Sequence, residues 1–187
     1  PLKLKLIGKH QICNAKLALA VIERLNETGA LSIRDDHIAQ AFAQATMPAR
    51  LELLSTRPII LLDGAHNPAG MQALGQAIQD YLSHKKIVCI MGMLQDKDSN
   101  SSLEYLDGLV DEVITLEPNS PRRQTADELA EKAVKFFDRV YPMDNFGAAI
   151  DKAMDMAGEN GVVLVCGSLY LASQLRPLIK RKLEKRR

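Results

Sequence analysis

The 187 residues suffice for one well-buried core with some chain left over. A 47% hydrophobic and 25% charged composition is that of an ordinary globular protein, and no apolar run approaches the roughly 20 residues a membrane span requires, which argues against a membrane protein. A formal net charge of +1 argues against a dedicated nucleic-acid surface.

In chain order, Leu2-Lys3-Leu4-Lys5-Leu6-Ile7 alternates like a strand, and a chain entering structure directly at Pro1 reads as part of something longer. Ile12, Ala15, Ala18, Leu19, Ile22 and Leu25 then form an apolar stripe at helical spacing, with Gly29 after Thr28 as a C-cap. A second short helix comes next, N-capped by Asp35 or Asp36 and running through about Ala45, with Pro48 beyond it. Two helices and a strand cannot close a core, so this segment reads as the tail of a preceding domain or as packing on the rest of the chain.

After Arg50 the pattern changes. Leu51–Leu54 and Pro58–Leu62 flank Ser55-Thr56-Arg57 as a hairpin. The runs Ile87–Met91, Glu112–Leu116 and Val162–Cys166 read as buried strands, with a short one near Val140. Between them lie helical patterns at about Met71–Leu82, Ser101–Leu109, Ala126–Phe137, Phe146–Ala157 and Leu169–Leu183. Repeated βα units imply an α/β fold, a Rossmann-like, mostly parallel sheet with helices on both faces. Here it is preceded by a short, mainly helical remnant. Ligands of such sheets bind at the C-terminal ends of the strands.

The six basic residues of Lys180–Arg187 suit the negative pole of the last helix as a solvated end, or bind phosphate. Cys13, Cys89 and Cys166 show no CxxC or CxxH spacing, which favours reduced thiols in a cytoplasmic protein over a disulfide framework or a metal site.

Four strand-to-helix or junction motifs carry candidate chemistry. In Asp63-Gly64-Ala65-His66-Asn67-Pro68, Asn67 can N-cap and Pro68 suits the first helical position. Turn chemistry accounts less well for Asp63 and His66, a carboxylate and an imidazole beside free helix N–H groups, able to bind a ribose or an anionic substrate. In Gly8-Lys9-His10-Gln11-Ile12-Cys13-Asn14-Ala15, Gly8 permits an unusual backbone angle, while Gln11 or Asn14 either caps a helix or meets a purine edge. Arg50, after Pro48, is either a surface ion pair or a phosphate clamp. Ser168, in Cys166-Gly167-Ser168, either caps the last helix or hydrogen-bonds a substrate carboxylate; G-x-S-x-G is absent, which disfavours a nucleophile. There is no G-x-G-x-x-G at the Asp63 turn and no G-x-x-x-x-G-K-[ST] in the chain.

These motifs, in this order, resemble the folylpolyglutamate synthase and dihydrofolate synthase group of the Mur ligase superfamily, over nearly the whole chain. Asp63–Pro68 is the specific element; Gly8-x-His10-Gln11-x-x-Asn14-Ala15 is shared more widely. The resemblance implies that residues 1–56 end an ATPase domain and that residues 57–187 form a C-terminal Rossmann-like ligase domain, with the active site between the two. It implies ATP contacts by Asn14 to the base, Arg50 to the phosphates and Asp63 on the ribose side. It assigns catalysis and glutamate binding to His66 and Ser168. ATP, Mg2+, L-glutamate and a folate or dihydropteroate are the implied cofactors and substrates. The P-loop and the Mg2+ ligands have no counterpart in these 187 residues and are expected in the N-terminal ATPase domain. The implied reaction passes through an acyl phosphate attacked by the amine of glutamate, and the chain alone is expected to be inactive. A metabolite-binding regulatory module and part of a peptidoglycan-type Mur ligase are the alternatives.

Overall fold

Apolar runs without alternation make strands buried on both faces, and that pattern organises the molecule. The computed structural model describes residues 2–186. Six strands, β1 (Glu52–Thr56), β2 (Ile59–Leu62), β3 (Ile87–Met91), β4 (Glu112–Leu116), β5 (Val140–Met143) and β6 (Val162–Cys166), form one sheet in the order β1-β2-β6-β3-β4-β5. Only β1 is antiparallel, paired with β2 as the expected hairpin. Every residue of β3, β4 and β6 is buried.

Helices cover both faces, as the βα pattern implies. The helices α3 (Pro68–Leu82), α4 (Ser99–Glu104) and α5 (Ala126–Ala133) supply Met71, Leu74, Leu103 and Leu129 to one core, with Leu61, Cys89 and Leu164 from the sheet. On the other face α6 (Phe146–Ala157) and α7 (Leu169–Lys185) pack Ile150, Met154, Leu171 and Leu175 against Ile60, Ile90, Ile114 and Val163. Both α4 and α5 end earlier than their patterns suggested. No helix among the described residues is long and apolar enough to cross a membrane.

Helices α1 (Lys9–Glu27) and α2 (Asp35–Gln44) precede the sheet. Gly29 follows the Thr28 C-cap in the left-handed region, at φ 72°, and donates its N–H to Asn26 O. Three expectations change here. Residues 2–7 form no strand; Lys5 donates its N–H to Phe42 O, and alternation without a neighbouring strand edge has no ladder to join. The N-cap of α2 is Arg34 rather than Asp35 or Asp36, because the helix starts one residue earlier; the carboxylates sit in its first turn, where they suit the positive end of the dipole. The stripe of α1 is only half covered: Ala15, Leu19, Ile22 and Leu25 are partly buried, Ala18 and Ile12 are exposed, and Gln11 is the one buried side chain.

Candidate functional site

The strand order locates the site. From β2 the chain crosses to α3 on one face, whereas from the adjacent β6 it turns to α7 on the other. Neighbouring strands whose exits diverge open a crevice at their C-terminal ends. Asp63–His66 and Gly167–Ser168 occupy that crevice. They are tied together: Asp63 N–H donates to Val165 O at 2.8 Å and Gly167 N–H to Ala65 O at 2.8 Å. Gly167 takes φ 96°, and a Cβ there would stand 2.8 Å from Gly92 O.

Asp63 is 7% exposed, and backbone donors occupy both its oxygens: Leu51 N–H at 2.8 Å on Oδ2 and Ala65 N–H at 2.7 Å on Oδ1. Burial raises its pKa above the usual carboxylate value, a shift opposed by those two donors and by the nearby Arg50 and His10. Its first structural task is therefore to pin residue 51 to the end of β2.

That pin acts on an unusual turn. Ala49 and Leu51, flanking Arg50, both have positive φ, 55° and 45°, and both are buried. Non-glycine residues reach this region rarely, and such strain clusters at functional sites. Gly64 N–H donates to Ala49 O at 2.8 Å. A Cβ on Gly64 would stand 2.7 Å from Arg50 Nη1 and overlap the Leu169 side chain. Glycine at 64 thus lets the Arg50 guanidinium cross the β2 turn beside the start of α7. Among the described residues Arg50 donates only to Ala49 O, at 3.3 Å, leaving most of its five donors without a protein acceptor.

His66 Nδ1 lies 2.7 Å from Gly64 O. A carbonyl can only accept, so Nδ1 carries a proton, and in the neutral imidazole Nε2 is the acceptor. Asn67 caps α3, its Oδ1 accepting from Gly70 N–H at 2.8 Å, with Pro68 at the first helical position. Ser168 is buried and caps α7, its Oγ accepting from Tyr170 N–H at 3.0 Å. The capping leaves its hydroxyl proton free to donate.

Arg50, Asp63, His66 and the Ser168–Leu169 turn therefore gather around Gly64. Asn14 makes no hydrogen bond to that group; it is exposed on α1, its amide donating to Gln11 Oε1 at 3.2 Å, and Gln11 in turn lies 3.1 Å from His10 Nε2. Two side chains not singled out in the sequence join the Arg50 turn. Glu52 Oε2 accepts from Ala49 N–H at 3.1 Å, and Arg176 on α7 holds the Glu52 carboxylate at 2.7–2.9 Å. Glu52 lay within view beside Arg50; a partner 124 positions away carries no local signal.

Among the described residues no cluster of three or more His, Cys, Asp and Glu could hold a metal. The three cysteines are free thiols; Cys166, hydrogen-bonded to Cys89 and fully buried, has its pKa pushed well above the ordinary range and behaves as apolar filling. A cavity of about 710 Å³ lies beside Arg57 and Lys180, away from the crevice, and one of about 480 Å³, lined by Lys5, Pro48, Arg50 and Arg176, touches only its Arg50 side.

The family described as Mur ligase, glutamate ligase domain matches residues 49–169. The dihydrofolate synthase/folylpolyglutamate synthase of Mycobacterium tuberculosis is 35% identical over 95% of this chain and 40% of that protein. A solved structure of the M. tuberculosis folylpolyglutamate synthase, complexed with ADP and AMPPCP, superposes with a TM-score of 0.85 at 32% identity, covering 95% of this chain and 41% of the other. The bifunctional folylpolyglutamate synthase/dihydrofolate synthase of Yersinia pestis, complexed with AMPPNP and Mn, gives 0.81 at 29% identity, over 95% and 40%. The chain thus spans about two fifths of the length of these relatives.

Proposed function

The chain belongs to the Mur ligase family through its glutamate ligase domain, and from that premise we propose that it forms the C-terminal part of an ATP-dependent ligase joining L-glutamate to a folate or dihydropteroate. The observation that carries the reading is the convergence of Arg50, Asp63, His66 and Ser168 around Gly64 at the sheet crevice. The names of the relatives support the substrate class.

Such a reaction makes an acyl phosphate from the folate carboxylate and lets the glutamate amine attack it through a tetrahedral intermediate. Its demands are charge stabilisation and positioning more than a protein nucleophile. The unpaired guanidinium of Arg50 suits phosphate charge. Asp63 stands on the nucleotide side and braces the turn that carries Arg50. His66 Nε2 accepts from the incoming amine, and the Ser168 hydroxyl, at the positive end of α7, donates to a glutamate carboxylate. Asn14, on the exposed side of α1, meets the base. We assign Mg2+ to an ATPase domain preceding this chain, as the resemblance implies, and derive no step through it. Residues before 49 are read as the end of that domain. The pairing of β1 with β2 and the match beginning at residue 49 support placing the division there rather than after residue 56.

Two assays test the proposal. The purified 187-residue chain should show no folate-dependent ATP hydrolysis, and turnover by it would sink the division of labour. In the whole ligase, Arg50→Ala should lower kcat/KM for ATP about a hundredfold, the scale of losing one charge-stabilising contact. His66→Ala and Ser168→Ala should act mainly through glutamate.

A further inference from the structure

Resting on the reading of Arg50 as a phosphate clamp, we infer that Glu52 and Arg176 are positioning residues that hold Arg50 in its clamping geometry and link it to the helix that begins at Ser168. A turn with two left-handed non-glycine residues persists only where its surroundings over-determine it. The turn at Arg50 is fixed from two sides. From the β2 end come Gly64 N–H to Ala49 O and the Asp63 carboxylate on Leu51 N–H. From the other side Glu52 Oε2 accepts Ala49 N–H at 3.1 Å, the backbone donor on the near side of Arg50.

Glu52 could serve that donor in many rotamers, and Arg176 selects one. Its Nε lies 2.9 Å from both Glu52 oxygens and its Nη2 lies 2.7 Å from Oε1. A planar guanidinium that grips both oxygens fixes the carboxylate plane as well as its position. The Glu52 side chain is 17% exposed and that of Arg176 33%, so the pair is partly shielded from water. Arg176 and Ser168 belong to the same helix, α7. The helix that presents its capped end toward glutamate therefore also sets the turn that presents Arg50 toward phosphate, through Arg176, Glu52 and Ala49.

A plain structural tie between β1 and α7 would have the same contacts, so the test must separate stability from nucleotide use. The whole ligase is assayed with ATP and glutamate varied separately, and each variant is melted in parallel. Arg176→Ala and Glu52→Ala should lower kcat/KM for ATP about tenfold and leave the glutamate KM within about twofold. Glu52→Gln keeps an acceptor for Ala49 N–H and should lose only about threefold. The paired exchange of Glu52→Arg with Arg176→Glu restores an ion pair but leaves Ala49 N–H without an acceptor; it should recover Tm while ATP kinetics stay impaired. Arg176→Lys, which keeps the charge and loses the fork, should fall between wild type and Arg176→Ala, and with Glu52→Gln it carries the test if the alanine variants do not fold. Wild-type ATP kinetics in the single variants, alongside an impaired Arg50→Ala, would overturn the inference and leave the functional reading standing. Recovery of ATP kinetics by the exchange would also overturn it. An unimpaired Arg50→Ala would remove the functional reading itself.

Discussion

Helices α1 and α7 are of similar length, 19 and 17 residues, and both carry apolar side chains at helical spacing, yet they are buried very differently. Leu171, Leu175 and Ile179 of α7 disappear into the face formed by β6 and its neighbours, whereas α1 buries Gln11 alone. Leu17 and Val21 remain 69% and 50% exposed. Periodicity selects a helix, but burial needs a second apolar surface, and in this chain only α7 lies across one. The anchored part of α1 is its first turn, where Lys9 bridges to Asp80 of α3 at 2.9 Å and Gln11 is buried. That turn also carries His10, which lies near Asp63.

The contrast can be broken by measurement. Leu175→Ala should cost about 2–5 kcal/mol in urea unfolding, the loss of a fully buried leucine and the cavity left behind. Leu19→Ala in α1 should cost under about 1 kcal/mol. Equal losses would mean that α1 is as integral as α7. Asp63→Ala leaves Leu51 and Ala65 N–H buried without acceptors and should cost about 2 kcal/mol, the penalty for two such donors being partly offset by removing a desolvated carboxylate. Asn67→Ala removes the cap of α3 and should cost about 1 kcal/mol in Tm-derived stability. Gly8 gives α1 no side-chain cap, so no comparable residue exists there.

Acid titration sharpens the comparison further. The hydrogen bonds from Arg176 hold the Glu52 pKa below its ordinary value of 4.5, against the effect of burial. Its stabilising contribution is therefore complete above about pH 4.5 and is lost as pH falls through the lower folded value. Asp63 acts in reverse: its pKa is raised, so its charge lowers stability as pH rises from 3.8 through the folded value. Arg176→Ala should flatten the Glu52 limb by under about 1 kcal/mol, and Asp63→Ala should remove the opposing one, both read from Tm across pH 3–6 (about the range in which these carboxylates titrate). The smallest effect belongs to Leu17→Ser on the exposed face of α1, expected within about 0.5 kcal/mol of wild type.

The sheet was legible because both its faces are covered. Strands such as Ile87–Met91 and Val162–Cys166 then need no polar positions, and uninterrupted apolar runs stand out between amphipathic helices. Leu2–Ile7 carried an equally clear alternating signal and forms no strand, because a strand needs a partner edge and side-chain alternation does not supply one. The turn at Asp63–Pro68 was readable for a local reason: capping and the first helical position act within a few residues.

What the order of residues determined by itself was local: the elements of the α/β sheet, the Asn67 cap, and the set of polar groups at strand ends from which Arg50, Asp63, His66 and Ser168 were drawn. Tertiary structure decided which of them meet. Strand order put β2 beside β6, so residues about 100 positions apart share one crevice. Two carboxylates, Glu52 on β1 and Asp63 just past the end of β2, hold Arg50 between left-handed neighbours, and Arg176 reaches Glu52 from the last helix. Those contacts arise from long-range packing, which local periodicity and capping rules do not encode.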